Sequence, residues 1–148
     1  MAMPLKHLPA RLESLPELMD FISDQAVQKG FSAEAVYHVC LAAEEALVNV
    51  INHAYPKASP GDLAVQVASS DAFPLILEIR DQGAAFNPLS LPDPDLDADV
   101  SRRKVGGMGV FLIRRMTDEV RYRRERDTNF LTLAFSGTRR PETFGTPA

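Results

Sequence analysis

Residues 41–55 constrain this chain more than any other stretch, because they predict a helix that is apolar almost all the way round. On a helical wheel at about 100° per residue, a stripe from Val36 to Ala54 has the i, i+3, i+4 spacing of a core-facing helix. Glu45 and Asn49 lie on the opposite side. Their neighbours there are apolar as well, namely Leu41, Ala42 and Val48. We therefore expect this helix to be covered on both sides.

Glu45 and Asn49 are one helical turn apart, so their side chains point into one neighbourhood. A buried carboxylate is costly unless it is paired, hydrogen-bonded or in contact with a metal ion. One interpretation is therefore a ligand site on the second face of the helix. The other is a solvated helix face on which Glu44 and Glu45 are ordinary surface acids, and both interpretations remain open at this point.

The composition limits the classes of protein to consider. A chain of 148 residues with 45% hydrophobic and 24% charged residues predicts one globular domain. The formal net charge of −4 gives no electrostatic reason to expect a nucleic-acid partner. The single cysteine, Cys40, lies on the apolar stripe, where we expect a small buried hydrophobic residue rather than a reactive thiol.

The sequence also bears on the compartment. Residues 1–18 lack the continuous apolar core of a signal peptide, and no run approaches the roughly 18 apolar residues that a membrane span needs. We therefore expect a cytoplasmic protein without a membrane partner.

Alternation and helical spacing predict the remaining elements. A short edge strand is expected in residues 4–10, and a helix from Glu13 to about Lys29 ends at Gly30. Ser32 is the expected N-cap of the long helix, which runs to about Ala54. Two hairpins complete the set: residues 63–68 pair with 75–80, and residues 120–122 lead through a polar turn around 127–129 into 130–135.

An aspartate and a glycine follow the second predicted strand of the first hairpin. Asp81 stands at the end of that strand, and Gly83 allows the backbone to approach a ligand closely. This arrangement predicts that the Asp81 carboxylate binds a ligand. Taken alone, an Asp-x-Gly sequence after a strand is more often a simple turn.

A long connection follows, from Asn87 to Lys104, with no strong period. A connection of this length in a compact domain is often a lid, or else it is disordered. Its last residues are basic (Arg102, Arg103 and Lys104), which is typical of a solvated surface but would also suit a polyphosphate beneath a lid. Gly107 and Gly109 then open a third helix, where free N–H groups could meet an anion or where the glycines could serve as a hinge.

The order and spacing of these motifs resemble the ATP-binding fold that DNA gyrase B, Hsp90, sensor histidine kinases and MutL share, known as the GHKL or Bergerat fold. Within that superfamily the chain is most similar to the bacterial anti-sigma factor serine/threonine kinases of partner-switching systems. The resemblance extends from about Leu5 to Phe135. It is carried by EALVNVINHAY at 45–55, DQGAAFNP at 81–88 and GGMGVFLI at 106–113.

The resemblance implies an α+β fold, a two-layer α/β sandwich. Its sheet is expected to be mixed but mostly antiparallel, and about three helices are expected to cover one face. The ATP-binding kinase domain would span residues 1–136, with a lid at about 87–106, and residues 137–148 would form a flexible tail.

The resemblance also implies a role for each site residue. Glu45 would be the general base towards a serine or threonine hydroxyl, and Asn49 would ligate Mg²⁺ beside the ATP phosphates. Asp81 would accept a hydrogen bond from the adenine amino group, and Gly83 would keep the adenine pocket open.

Four further residues match the pattern of these kinases. Gly107 and Gly109 would place the end of the lid and the first amides of the third helix against the phosphates. Thr132, on the last strand, would join the adenine network. His53 would lie near the nucleotide or serve as a structural histidine.

The resemblance implies a kinase that uses Mg-ATP to phosphorylate a STAS-domain anti-anti-sigma partner and that sequesters a sigma factor when this partner is not available. The alternative is a nucleotide-binding regulatory module that binds a partner without transferring phosphate. The histidine-bearing hairpin of a sensor histidine kinase has no candidate here, and a transducer domain of the gyrase or MutL type does not fit in 148 residues. A homodimer is expected only because such kinases are commonly dimers.

Overall fold

The computed structural model describes residues 3–90 and 107–138. Five strands form one sheet: β1 (Leu5–Pro9), β2 (Asp62–Ala68), β3 (Leu75–Asp81), β4 (Glu119–Glu125) and β5 (Thr128–Phe135). Their order across the sheet is β1-β2-β3-β5-β4. All four pairings between these strands are antiparallel. The predicted α+β class is confirmed, and the sheet that the structure describes contains only the antiparallel component of the expected mixture.

Three helices accompany the sheet: α1 (Leu15–Gln28), α2 (Ala33–His53) and α3 (Gly107–Met116). A proline in the first turn starts α1, and Gly30, with φ of 83°, follows its end in the left-handed region that favours glycine. The predicted N-cap of α2 is confirmed, because Ser32 Oγ accepts a hydrogen bond of 3.1 Å from the backbone N–H of Ala35.

The core lies between the helices and one face of the sheet. Alternate residues of β2, β3 and β5 are buried on this face, which is the period of two that a strand imposes. α2 supplies Val39, Ala43 and Leu47, each at most 1% exposed, and both α1 and α3 pack against α2. α2 is therefore the central helix of its layer, as its nearly all-round apolar character predicts.

The other face of the sheet carries polar and charged side chains. Glu78 and Arg80 alternate with the buried residues of β3, and Phe130 does so on β5. The guanidinium carbon of Arg123 lies 3.9 Å from the centroid of the Phe130 ring, and that of Arg80 lies 5.8 Å away. The two arginines cover the ring by cation–π contacts, so this aromatic residue needs no helix above it.

The turn of the second hairpin lies earlier than the sequence predicts. It contains Arg126, with φ of 55°, and Asp127, and β5 begins at Thr128. Polar residues of this kind favour turns, and for this reason the sequence predicts Asn129 to lie in the turn. In the structure Asn129 is inside the ladder, paired with Asp81 on one side and with Arg124 on the other.

The predicted domain bounds and lid remain predictions. Residues 91–106, most of the predicted lid, and residues 139–148, most of the predicted tail, lie outside the described residues. At the start of the lid, Pro88–Ser90 form a short 3-10 helix, and Arg114 of α3 donates a hydrogen bond to the carbonyl oxygen of Leu89. This bond joins the start of the predicted lid to α3, the helix that follows the lid in sequence.

A search for membrane-spanning helices in residues 3–90 and 107–138 found none that is both long and apolar enough to cross a bilayer.

Replacing Leu47 with alanine tests the central position of α2. The side chain is fully buried in the core, so we expect the free energy of unfolding to fall by about 2–5 kcal/mol. Urea unfolding measures the change. Tyr37→Ala on the same helix is the control, because Tyr37 is 61% exposed and its loss should change stability by about 0.5 kcal/mol or less. Equal losses in the two variants would contradict this packing.

Candidate functional site

A cleft opens where α2 meets the ends of β3 and β5. Asn49, Asp81 and Asn129 supply its polar walls, and Phe86 contributes an apolar wall. The volume between them is about 20 Å³, room for about one water molecule. A larger ligand therefore has to displace part of the wall. The segment from Ala85 to Asn87, which carries Phe86, is the part best able to move, because it lies outside the helices and the strands.

Asn49 has a buried amide nitrogen that lacks a hydrogen-bond partner among the described residues. Its amide nitrogen Nδ2 is inaccessible to solvent and makes no hydrogen bond with any residue in the described part of the chain. An unsatisfied buried group of this kind costs about 1–3 kcal/mol. The amide is thus held ready for a ligand on the side of α2 that faces the cleft.

Glu45 lies one turn before Asn49 and is half-buried against α3. A Cβ atom built on Gly109 would lie 2.7 Å from Glu45 Oε2, so the absence of a side chain at Gly109 lets α3 approach this carboxylate. Burial, and secondarily the negative charge of Glu44, raise the pKa of the Glu45 carboxyl above its ordinary value. A half-buried carboxylate with a raised pKa is suited to accept a proton.

Asp81 is 6% exposed at the end of β3. Its Oδ1 accepts hydrogen bonds of 2.9 Å from the backbone N–H of Gly83 and from Asn129 Nδ2. No described residue donates to the other carboxylate oxygen, Oδ2. The structure therefore fixes the orientation of Asp81 through one oxygen and leaves the second free to accept a further hydrogen bond.

The close approach at Gly83 is to the end of α2. A Cβ atom built on Gly83 would lie 2.0 Å from the carbonyl oxygen of Ala54, and that oxygen accepts a hydrogen bond of 2.8 Å from the N–H of Ala84. Tyr55 Oη accepts another, of 2.7 Å, from the N–H of Gln82. Glycine is thus required by the packing of the loop on α2. Its predicted role in keeping an adenine pocket open stays a prediction.

Asn129 is a site residue that the sequence analysis missed. Besides its bond to Asp81, Asn129 Nδ2 donates to the carbonyl oxygen of Ala84 at 2.9 Å, and its Oδ1 accepts from Tyr122 and Arg124. The signal was present in the alternation of β5. Counting back two residues from the buried Leu131 places Asn129 on the inward face.

Thr132 does not reach the cleft. It pairs with Glu78 and Arg121, and strand alternation directs it to the face of the sheet away from the helices. The predicted membership of Thr132 in the adenine network is therefore corrected. The polar residue that β5 presents to the cleft is Asn129, three positions earlier.

The remaining predictions concern Gly107, the basic residues 102–104 and His53. α3 begins at Gly107, as the glycine-rich sequence predicts. The basic residues Arg102, Arg103 and Lys104 lie outside the described residues. His53 is exposed, and its ring centroid lies 5.3 Å from that of Phe86, so it packs on a wall of the cleft.

The donor set fits Mg²⁺ only as part of a larger ligand sphere. The described residues contain no cluster of three or more His, Cys, Asp or Glu side chains that could hold a metal ion. Asn49 offers an amide oxygen, and turning the amide to present it breaks no hydrogen bond of Nδ2 within the described part of the chain. Mg²⁺ commonly takes only one or two protein oxygens and completes its sphere with substrate phosphates and water.

The sequence matches a family model. Residues 8–135 match the model of the histidine kinase-like ATPase domain. The chain is 30% identical over 108 residues to the serine/threonine-protein kinase BtrW of Bordetella bronchiseptica, and this match covers 73% of this chain and 75% of that protein. It is 28% identical over 118 residues to the serine-protein kinase RsbW of Listeria monocytogenes, covering 77% and 74%.

A solved structure shares the fold. The crystal structure of the RsbU and RsbW domains of Rv1364c from Mycobacterium tuberculosis matches with a TM-score of 0.60 and 13% sequence identity. The match covers 89% of this chain and 32% of that one, so the chain spans about a third of the length of that protein. Because the family model covers most of the sequence, and because the two kinases match over about three quarters of their own length, the chain belongs to the family of histidine kinase-like ATPase domains that includes BtrW and RsbW.

Proposed function

We propose that this protein is a serine/threonine protein kinase that uses Mg-ATP, phosphorylates a STAS-domain anti-anti-sigma partner and, as an anti-sigma factor, binds a sigma factor. The observation that carries the proposal is the pair on α2: a buried amide nitrogen without a partner in the described residues at Asn49, and a half-buried carboxylate at Glu45, beside a cleft that ends at Asp81. The similarity to BtrW and RsbW supports the same activity.

Asp81 would select the base. Its free Oδ2 is a hydrogen-bond acceptor at one end of the cleft, which suits the exocyclic amino group of adenine. Ala46, Val50 and Leu131 also line the cleft and supply apolar surface for the ring. Binding would move the wall formed by Phe86 outwards.

Asn49 would hold the phosphate end. When bound, Mg²⁺ would neutralise charge that develops on the transferring phosphoryl group. The Asn49 amide oxygen would be its protein ligand, and Gly107 and Gly109 would bring the first turn of α3 towards the phosphates.

Glu45 would act on the second substrate. A serine or threonine hydroxyl of the partner would lose its proton to Glu45 as its oxygen forms a bond to the γ-phosphorus and the bond to the ADP leaving oxygen breaks. Positioning and electrostatics supply most of the acceleration of phosphoryl transfer, so the base contributes a smaller share. The raised pKa of Glu45 increases its affinity for the proton.

Three broader proposals accompany this function. The protein would work in the cytoplasm, where sigma factors act, and it would form a homodimer. Residues 1–136 would form the kinase domain, in which the segment 87–106 closes over ATP as a lid, and residues 137–148 would form the tail.

Transfer of labelled phosphate tests the kinase directly. The protein is incubated with γ-labelled ATP, Mg²⁺ and a STAS-domain protein from the same genome, and we expect label on a serine or threonine of that protein. Omitting Mg²⁺ should abolish the transfer. If ATP binds and no label moves, the kinase proposal fails and a regulatory module that only binds nucleotide replaces it.

Substitutions at Asp81 and Glu45 should separate binding from transfer. Asp81→Asn loses a charge-assisted hydrogen bond, so ATP affinity, measured by calorimetry, should fall about tenfold or more. Glu45→Gln should leave ATP affinity within about twofold and slow transfer about 10²-fold, near the low end for general-base catalysis. Glu34→Gln, at an exposed position of the same helix, is the control. Equal losses of ATP affinity at Asp81 and Glu45 would contradict this division.

The pH dependence of transfer should report the environment of Glu45. Activity falls as the pH drops through the pKa of the base, and the raised pKa of Glu45 moves this acidic limb to a higher pH than an ordinary glutamate gives. Glu44→Gln removes the neighbouring negative charge, so the limb of kcat/KM should move to lower pH. Glu34→Gln should leave it in place. A limb that is unaltered in Glu44→Gln would argue against Glu45 as the base.

A further inference from the structure

Arg124 connects the second hairpin to the loop after β3. Its Nη1 donates to the carbonyl oxygen of Gly83 at 2.7 Å and to Asn129 Oδ1 at 3.1 Å, and its Nε donates to the carbonyl oxygen of Arg126 at 3.2 Å. The side chain is exposed. One solvent-exposed cation thus joins the hairpin turn, a buried amide and a loop 41 residues away in sequence.

The amide that Arg124 contacts is fully hydrogen-bonded. Asn129 is 5% exposed. Its Oδ1 accepts from Tyr122 Oη at 2.6 Å and from Arg124, and its Nδ2 donates to Asp81 Oδ1 and to the Ala84 carbonyl oxygen, both at 2.9 Å. A side-chain amide has two donor hydrogens and one oxygen with two acceptor positions, so each of its four capacities is used.

Arg124 reinforces the orientation of this amide. A guanidinium can only donate hydrogen bonds, so it must face the amide oxygen of Asn129. The reversed amide would place its NH₂ group against the Arg124 cation, and its oxygen against the Asp81 carboxylate and the Ala84 carbonyl. Both changes would be repulsive. The orientation that donates to Asp81 is therefore the only one compatible with Arg124 in place.

The orientation of Asn129 in turn determines which oxygen of Asp81 is available. Asn129 and the N–H of Gly83 both bond Oδ1, and Oδ2 has no donor in the described part of the chain. Without Arg124 the Gly83 carbonyl would lose its partner and Asn129 Oδ1 would lose one of its two donors, so the loop and the amide that hold Asp81 through Oδ1 would be less firmly fixed. The effect of Arg124 on Asp81 passes through Asn129 and Gly83 and involves no direct contact.

We propose that Arg124 is a positioning residue for base selection: it fixes the Asn129 amide and the Gly83 carbonyl so that Asp81 presents Oδ2 to the exocyclic amino group of adenine. This inference rests on the proposed function and names a residue that sets its nucleotide specificity. Guanine carries a carbonyl oxygen where adenine carries that amino group, so a firmly held carboxylate acceptor favours ATP over GTP. A loosened Asp81 should discriminate less.

The test compares ATP and GTP binding in matched variants of the full chain. Mg-ATP and Mg-GTP affinities are measured by calorimetry for the wild type, Arg124→Ala, Arg124→Lys and Arg121→Ala. Arg121 is the control, because it is an exposed arginine of the same strand whose hydrogen bonds in the described residues go only to Glu119. Hydrogen exchange of residues 82–84 without nucleotide reports the loop itself, and thermal unfolding reports the fold.

We expect Arg124→Ala to weaken ATP binding about tenfold and GTP binding much less, so that the preference for ATP falls by about the same factor. Arg124→Lys keeps a cation that can reach one acceptor and should give an intermediate preference. Exchange of residues 82–84 should quicken in Arg124→Ala and not in Arg121→Ala, while both variants melt close to the wild type.

Two results would overturn the inference and leave the proposed function intact. One is an unchanged ATP preference in Arg124→Ala in a protein whose wild type prefers ATP. The other is an equal loss of ATP and GTP affinity, which a merely structural role would give. A wild type that binds neither nucleotide would overturn the proposed function and this inference together.

Discussion

The carbonyl oxygen of Ala54, at the end of α2, is the point on which the site depends. It accepts the N–H of Ala84, and the missing side chain of Gly83 allows the loop after β3 to approach it. This contact joins the helix layer to the sheet at one corner of the sandwich. The backbone leaves no space for a larger residue, because a carbonyl within an ordered helix end cannot move aside as a flexible side chain can. The position of Asp81, two residues before Gly83, follows from it.

The polar groups of the cleft fall into two classes. Asp81 and Asn129 form a network in which every capacity of the amide is used, so this end is rigid before any ligand binds. Asn49 is the opposite case, a buried amide with no partner among the described residues. A satisfied network suits recognition of a fixed shape, such as a base. An unsatisfied group suits a ligand whose contacts offset the cost of burying that group, such as a metal ion with its phosphates.

The sequence predicted the parts that depend on local patterns. Periodicity located the helices and most strand positions, and the all-round apolar character of α2 correctly indicated the central helix. Glu45 and Asn49 became candidates because polar residues on an apolar helix need a physical reason, and Asp81 became one because it ends a strand just before a glycine. Thr132 was taken from the family resemblance, and it lies on the outer face because alternate residues of β5 point to opposite sides of the sheet. The inward position of Asn129 could have been read from the alternation of β5, but its contacts with Asp81 and Arg124 depend on pairing across β3, β4 and β5, which no local pattern specifies. The Gly83 contact likewise depends on a backbone atom of another element.

A single rigid helix links the two ends of the proposed reaction. Glu45 and Ala54 are nine positions apart on α2, so about 14 Å separates them along the axis at 1.5 Å per residue. Asn49 lies between them. The end of α2 contacts the loop that we propose selects the base, and its middle carries Glu45 and Asn49, so the helix fixes the distance between the two proposed functions. Because α1, α3 and the sheet all pack against α2, that distance is supported on several sides. A helix packed on several sides cannot bend to make room for an extra side chain at either end. This explains why the loop at Gly83 and α3 at Gly109 both approach α2 through a glycine, with no side chain between them and the helix.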